Sequence, residues 1–156
     1  MIAYIALGSN LGNRRQLLNR GISELAKLGQ IIASPLTMET ADESGTGPNY
    51  LNTVVKLDTR IDNPRTLLEE CLRIEIAWGR NRNLPPNSPR TLDLDLIMVE
   101  NWRGCWDWDT PYDLLQLGPE LSLALPHPRA RSRSFVLEPL AALGVGDGIE
   151  LELKSK

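Results

Sequence analysis

The chain has 156 residues, the size of one domain, and 42% of them are apolar, enough for a single core but with no run long enough for a membrane helix. Its 17 basic and 20 acidic groups leave a net charge of −3, which argues against a general nucleic-acid binder, whose phosphate affinity needs a basic surplus. Two cysteines, Cys71 and Cys105, make neither a disulfide framework nor a zinc site, and the opening Met-Ile-Ala-Tyr lacks the charged start of a secretory signal, so a cytoplasmic chain is expected.

Residues 2–8 form an almost wholly apolar run without Pro, the pattern of a central strand. Turn chemistry follows in Gly8-Ser9-Asn10-Leu11-Gly12-Asn13, and Leu17, Leu18, Ile22, Leu25 and Leu28 then recur at helical spacing over 14–28, with Gly29 as the stop. Residues 30–40 read as extended, 41–49 as a polar Gly/Pro loop and 50–57 as a strand. Asn63-Pro64 sets a cap and a first helical position, Leu67, Leu68, Cys71 and Leu72 make the apolar stripe, and Gly79 ends the helix. A Pro-rich loop at 81–89 leads into a strand at 91–99. Residues 100–118, with three of the four Trp, read as a surface insertion. An extended stretch at 121–125 and a helix at 132–143 close the domain, leaving a short tail at 147–156. The order β-α-β-β-α-β plus a helix predicts one α+β domain over 1–156, a ferredoxin-like sandwich around an antiparallel sheet.

Charge is unevenly spread. Residues 73–90 carry four Arg and one Glu, 127–135 carry three Arg, and 93–120 between them hold seven acids and one Arg. Such an arrangement suits either a solvated surface or a metal–polyphosphate site, with Arg forks on the oxygens and carboxylates on the cation. On a strand, Asp93 and Asp95 share one face about 7 Å apart while Leu92, Leu94 and Leu96 take the other. That pair would grip Mg²⁺ or simply form an exposed edge, and Arg90 beside it favours phosphoryl chemistry. Glu75 puts a carboxylate on the apolar helix face, either facing a site or holding an Arg in an ion pair. Arg80 and Arg82 flank the Pro-rich loop. His127, the sole histidine, is either structural or a single phosphate contact. Tyr50 and Asn52, on one strand face, could stack on and hydrogen-bond a flat heterocycle, or serve as an ordinary cross-strand pair. No P-loop, Rossmann fingerprint or nucleophile elbow is present.

Several blocks occur together in order: Ala3-Tyr4-Ile5-Ala6-Leu7-Gly8-Ser9-Asn10-Leu11-Gly12-Asn13-Arg14, Tyr50-Leu51-Asn52, Arg73-Ile74-Glu75, Gly79-Arg80-Asn81-Arg82, Pro89-Arg90-Thr91-Leu92-Asp93-Leu94-Asp95, Leu125-Pro126-His127-Pro128 and Arg133-Ser134-Phe135-Val136-Leu137-Glu138-Pro139-Leu140. The set resembles the 6-hydroxymethyl-7,8-dihydropterin pyrophosphokinase family of folate biosynthesis. The resemblance implies a ferredoxin-like α+β fold and transfer of pyrophosphate from ATP to the pterin hydroxymethyl group, with release of AMP. By it Asp93 and Asp95 would bind two Mg²⁺ ions, and Arg80 and Arg90 would stabilise the phosphates. Glu75, Arg82, Arg90, Leu96, His127 and Arg133 would form the ATP side, and Thr40, Tyr50, Asn52 and Phe135 the pterin pocket. The expected partners are these two small molecules, with neither nucleic acid nor membrane, in a monomer or a dimer. The chain departs from the family pattern at 39–45, at 85–89 and in the long Trp-rich stretch. The last two departures also fit a silent member that binds pterin or nucleotide without turnover, as a regulatory or assembly module. An RNA-binding module would need more exposed aromatics and a basic face.

Overall fold

The computed structural model describes residues 1–42, 44–79 and 92–144. Among the described residues, seven strands and three helices are arranged as β1 (Ile2–Ser9), α1 (Arg14–Ala26), β2 (Gly29–Ala33), β3 (Met38–Thr40), β4 (Tyr50–Thr59), α2 (Pro64–Ala77), β5 (Asp93–Val99), β6 (Gly104–Asp109), β7 (Glu120–Leu125) and α3 (Ser134–Ala142), with 3₁₀ turns at Tyr112–Leu117 and Ala130–Ser132. Both long helices start as their sequences dictate. Asn13 Oδ1 accepts the Gln16 N–H at 3.1 Å, and Asn63 Oδ1 accepts the Arg65 N–H at 2.9 Å ahead of Pro64. After α2 the chain turns at Gly79, whose φ of +91° suits a residue without Cβ.

The main sheet is antiparallel throughout, in the order β2-β4-β1-β5, and β3 also pairs with β4. Residues 30–40, expected as one extended stretch, form two strands on the same edge of β4. The break falls at Pro35, which has no N–H for the ladder. Just before it, the Ser34 hydroxyl donates to Pro139 O at 2.7 Å, tying the edge to α3.

Each face of the sheet buries a different layer. Ala3, Ile5 and Leu7 of β1, Val55 and Leu57 of β4, and Leu94 and Leu96 of β5 pack with Leu18 and Leu25 of α1 and Leu67, Cys71 and Ile74 of α2. On the opposite face, Tyr4, Val54, Ile97 and Met98 meet Ala130 and, from α3, Val136 and Leu140. Toward the other end of that second face, Ala6, Gly8, Asn52, Asp93 and Asp95 line an open cleft instead.

The stretch 100–118, expected as a surface insertion, carries regular secondary structure. It holds β6, which pairs with β7 in a separate two-stranded sheet, and a 3₁₀ turn. Alternation along β6 exposes Cys105, Asp107 and Asp109, while Trp106 and Trp108, with Trp102 nearby, pack against the main core. Trp108 Nε1 donates to Glu69 Oε2 on α2 at 3.0 Å, and the Arg73 guanidinium of α2 forks onto Asp113 at 2.7 and 3.1 Å. These tryptophans fasten the hairpin to the domain.

Candidate active site

Register across β1 assembles the cleft. Gly8 pairs with Asn52 on β4 and with Asp93 on β5, and Ala6 pairs with Asp95. The two acids and the Asn therefore flank a floor of two small residues. A Cβ on Gly8 would sit 3.2 Å from Asn52 Oδ1 and 3.4 Å from the Tyr50 ring, so only glycine leaves this floor open. The cleft has a volume of about 200 Å³. Asp93 and Asp95 line one side, Thr40, Asp42, Tyr50 and Asn52 the other, and His127, Arg129, Arg133 and Phe135 form the wall leading into α3.

At the acidic end, Arg133 Nη1 stands 3.9 Å from Asp95 Oδ2, and the same guanidinium lies 5.5 Å from the centre of the Phe135 ring. Arg133 thus joins the acidic and aromatic parts of the wall. His127 is held by its own N–H, which donates to Ile97 O at 2.7 Å, while its Nδ1 accepts the Arg129 N–H at 3.2 Å. That bond fixes the neutral ring with its proton on Nε2. Burial first, and then the nearby Arg133 and Arg129, hold the His127 pKa below its usual 6.5 against an opposing pull from Asp93. The ring is a neutral donor at physiological pH.

At the end away from the acids, Asn52 Nδ2 donates to Thr40 Oγ1 at 2.9 Å and to Met38 O at 3.2 Å, which fixes the amide by way of β3. Asp42 organises the loop that follows: its Oδ2 accepts from Ser44 Oγ and from the Gly47 N–H, each at 2.8 Å.

Of the residues singled out from sequence, Asp93, Asp95, His127, Arg133, Thr40, Tyr50, Asn52 and Phe135 come together in this cleft. Glu75 and Leu96 are not among the described residues that line it. Leu96 is 2% exposed and points from the opposite face of β5 into the core, as its place one step from Asp95 requires. Glu75 is likewise 2% exposed, buried on α2. Arg80, Arg82 and Arg90 lie outside the described residues. Sequence reasoning passed over Ala6, Gly8, Asp42 and Arg129, although Arg129 stands two residues from His127 in an Arg-rich stretch. Cys71 is no nucleophile, since burial, reinforced by the charges of Asp95 and Glu70, pushes its thiol up to about 12.

The donor set at the acidic end is two carboxylates, and no cluster of three or more His, Cys, Asp or Glu suited to a metal occurs among the described residues. Two hard oxygen donors facing an open cleft fit Mg²⁺, which keeps waters and takes substrate phosphate oxygens for the rest of its shell. Among the described residues no helix is long and apolar enough to cross a membrane.

An antiparallel sheet that places carboxylates, guanidiniums and aromatic rings in one cleft has the make-up of a phosphoryl-transfer enzyme. A family model, 7,8-dihydro-6-hydroxymethylpterin-pyrophosphokinase (HPPK), matches residues 4–145. The chain belongs to this family of pyrophosphokinases. It is 34% identical over 144 residues to the 2-amino-4-hydroxy-6-hydroxymethyldihydropteridine pyrophosphokinase of Methylorubrum extorquens, covering 90% of this chain and 81% of that protein. To the Bacillus subtilis protein of the same name it is 33% identical over 145 residues, 91% of this chain and 77% of the relative. Its fold is similar to a crystal structure of an HPPK-DHPS protein in complex with substrates, with a TM-score of 0.69 at 14% identity. That similarity covers 90% of this chain and 39% of the longer one.

Proposed function

We propose that the protein transfers the diphosphate of ATP to the hydroxymethyl group of 6-hydroxymethyl-7,8-dihydropterin, releasing AMP, as a cytoplasmic step of folate biosynthesis. We read the four-strand order and its two helical crossovers as the ferredoxin-like plan, in one catalytic domain that needs neither nucleic acid nor membrane. One observation carries the proposal: Asn52 and Asp93 flank Gly8 across one cleft, two strand spacings or about 10 Å apart. That span lets a bicyclic ring held at Asn52 present its hydroxymethyl arm beside the acids.

Tyr50 and Phe135 would stack on the pterin, while Asn52, braced by Thr40, would hydrogen-bond its edge. Asp93 and Asp95 would hold Mg²⁺, two ions by the family resemblance, which when bound shield the triphosphate's charge. Arg129, Arg133 and the Nε2–H of His127 would contact phosphate oxygens, so their charge and hydrogen bonds strengthen as negative charge shifts toward the leaving group. Arg80 and Arg90 would serve as the stabilising pair and Arg82 as a further phosphate contact. The hydroxymethyl oxygen then attacks the β-phosphorus in line. A new O–P bond forms, the bridge between the α- and β-phosphates breaks, AMP departs with that bridging oxygen, and the hydroxyl proton passes to solvent. Holding both reactants in line supplies much of the acceleration.

The test is product analysis with ATP, Mg²⁺ and the hydroxymethylpterin. Equal amounts of AMP and pterin diphosphate are expected, with no AMP when the pterin is omitted. ADP as the product, or ligand binding with no AMP at all, would defeat the reading.

A further inference from the structure

Asp42 stands in the polar loop after β3, two residues beyond Thr40, and nothing in the reaction described above uses it. The residue lines the cleft together with Tyr50 and Asn52, yet it is only 7% exposed. The two oxygens differ in their surroundings. Oδ2 is held by Ser44 Oγ and the Gly47 N–H, and a Cβ at Gly47 would fall 2.1 Å from it, so the loop closes tightly around that oxygen. Oδ1 is buried and has no hydrogen-bond partner among the described residues. A buried carboxylate oxygen without a donor is a costly thing to keep, and a built loop that fixes one oxygen while leaving the other unmatched reserves it for a donor from elsewhere.

Asn52 makes the same provision. Its amide donates through Nδ2 to Thr40 Oγ1 and Met38 O, and its acceptor Oδ1 lies beside the open space over Gly8. One wall of the cleft therefore carries two acceptors, an amide oxygen and a carboxylate oxygen. Their natural complement is a ring edge with two adjacent N–H donors.

We infer that Asp42 is a specificity-determining residue that reads the amino-bearing donor edge of the heterocycle. This rests on the pterin reading given above. The relatives' substrate carries a 2-amino group beside its ring nitrogen, and that pair is the donor–donor edge the two acceptors fit. The carboxylate accepts one of these N–H groups, Asn52 Oδ1 accepts the other, and an analogue without the amino group leaves the buried oxygen unmatched.

The measurement is a calorimetric titration, with a non-hydrolysable ATP analogue and Mg²⁺ present, of hydroxymethylpterin and of its 2-deamino analogue. A hydrogen bond to a charged group gives wild type about a 10- to 100-fold preference for the amino compound. Asp42→Asn should bring that preference to within about twofold. Ser44→Ala, which loosens the loop and keeps the carboxylate, should weaken both compounds alike and leave the preference intact. Asp42→Asn retaining the preference would overturn the assignment, and so would a wild type that binds both compounds equally, a result that needs no variant. A wild type that binds neither compound would instead refute the pterin reading itself.

Discussion

Gly8 answers to neighbours on both sides, with Asn52 and the Tyr50 ring toward β4 and Asp93 toward β5. Gly8→Ala should leave the fold intact and weaken pterin binding by about 1–3 kcal/mol, the usual cost of an extra methyl in a filled space. Calorimetry would show this loss for the pterin with little change for an ATP analogue. His127 gives a second residue-level expectation. Its pKa in the folded protein is lowered, so as the pH falls below 6.5 the unfolded chain takes up a proton that the folded one still refuses. Stability is therefore fully present above that pH and drains away below it. Urea unfolding at pH 7.5 and 5.5 should show a larger loss for wild type than for His127→Gln. The sequence made Asp93 and Asp95 legible through strict alternation, which any strand enforces. Asp42 and Arg129 were not legible, because their entry into the cleft depends on how a loop and a 3₁₀ turn fold back over the sheet.

Elements with a strong local signal came through clearly from sequence. Asn63-Pro64 marked the start of α2, and Asn63→Ala should cost about 1 kcal/mol in urea unfolding as the Arg65 N–H loses its acceptor. The edge opposite β5 was harder, since a single extended run gave no sign that Pro35 would divide it between β2 and β3 on one edge of β4. Within residues 100–118, read from sequence as an insertion without elements of its own, the period-two pattern of Cys105-Trp106-Asp107-Trp108-Asp109 is the signature of β6. If those rings serve to pack the hairpin, Trp108→Phe should cost about 1 kcal/mol through loss of the bond to Glu69, with affinities for both substrates unchanged. A fall in nucleotide affinity would assign the hairpin a binding role.

At the scale of the whole molecule, two helices cover one face of the sheet, while α3 covers part of the other and leaves the remainder as the cleft. The order of elements could be read from hydrophobic periodicity. The side on which α3 settles could not, because a helix with apolar residues on most of its surface carries no address. That placement sets Arg133 and Phe135 opposite the acids, and the central claim is that this convergence carries out diphosphate transfer. Steady-state kinetics of Asp95→Asn across Mg²⁺ concentrations tests it most directly. The account predicts that kcat for AMP formation falls by about 10³-fold or more, on the scale of lost charge stabilisation in phosphoryl transfer, while pterin affinity stays within about threefold. A variant turning over at the wild-type rate with the same Mg²⁺ dependence would contradict it.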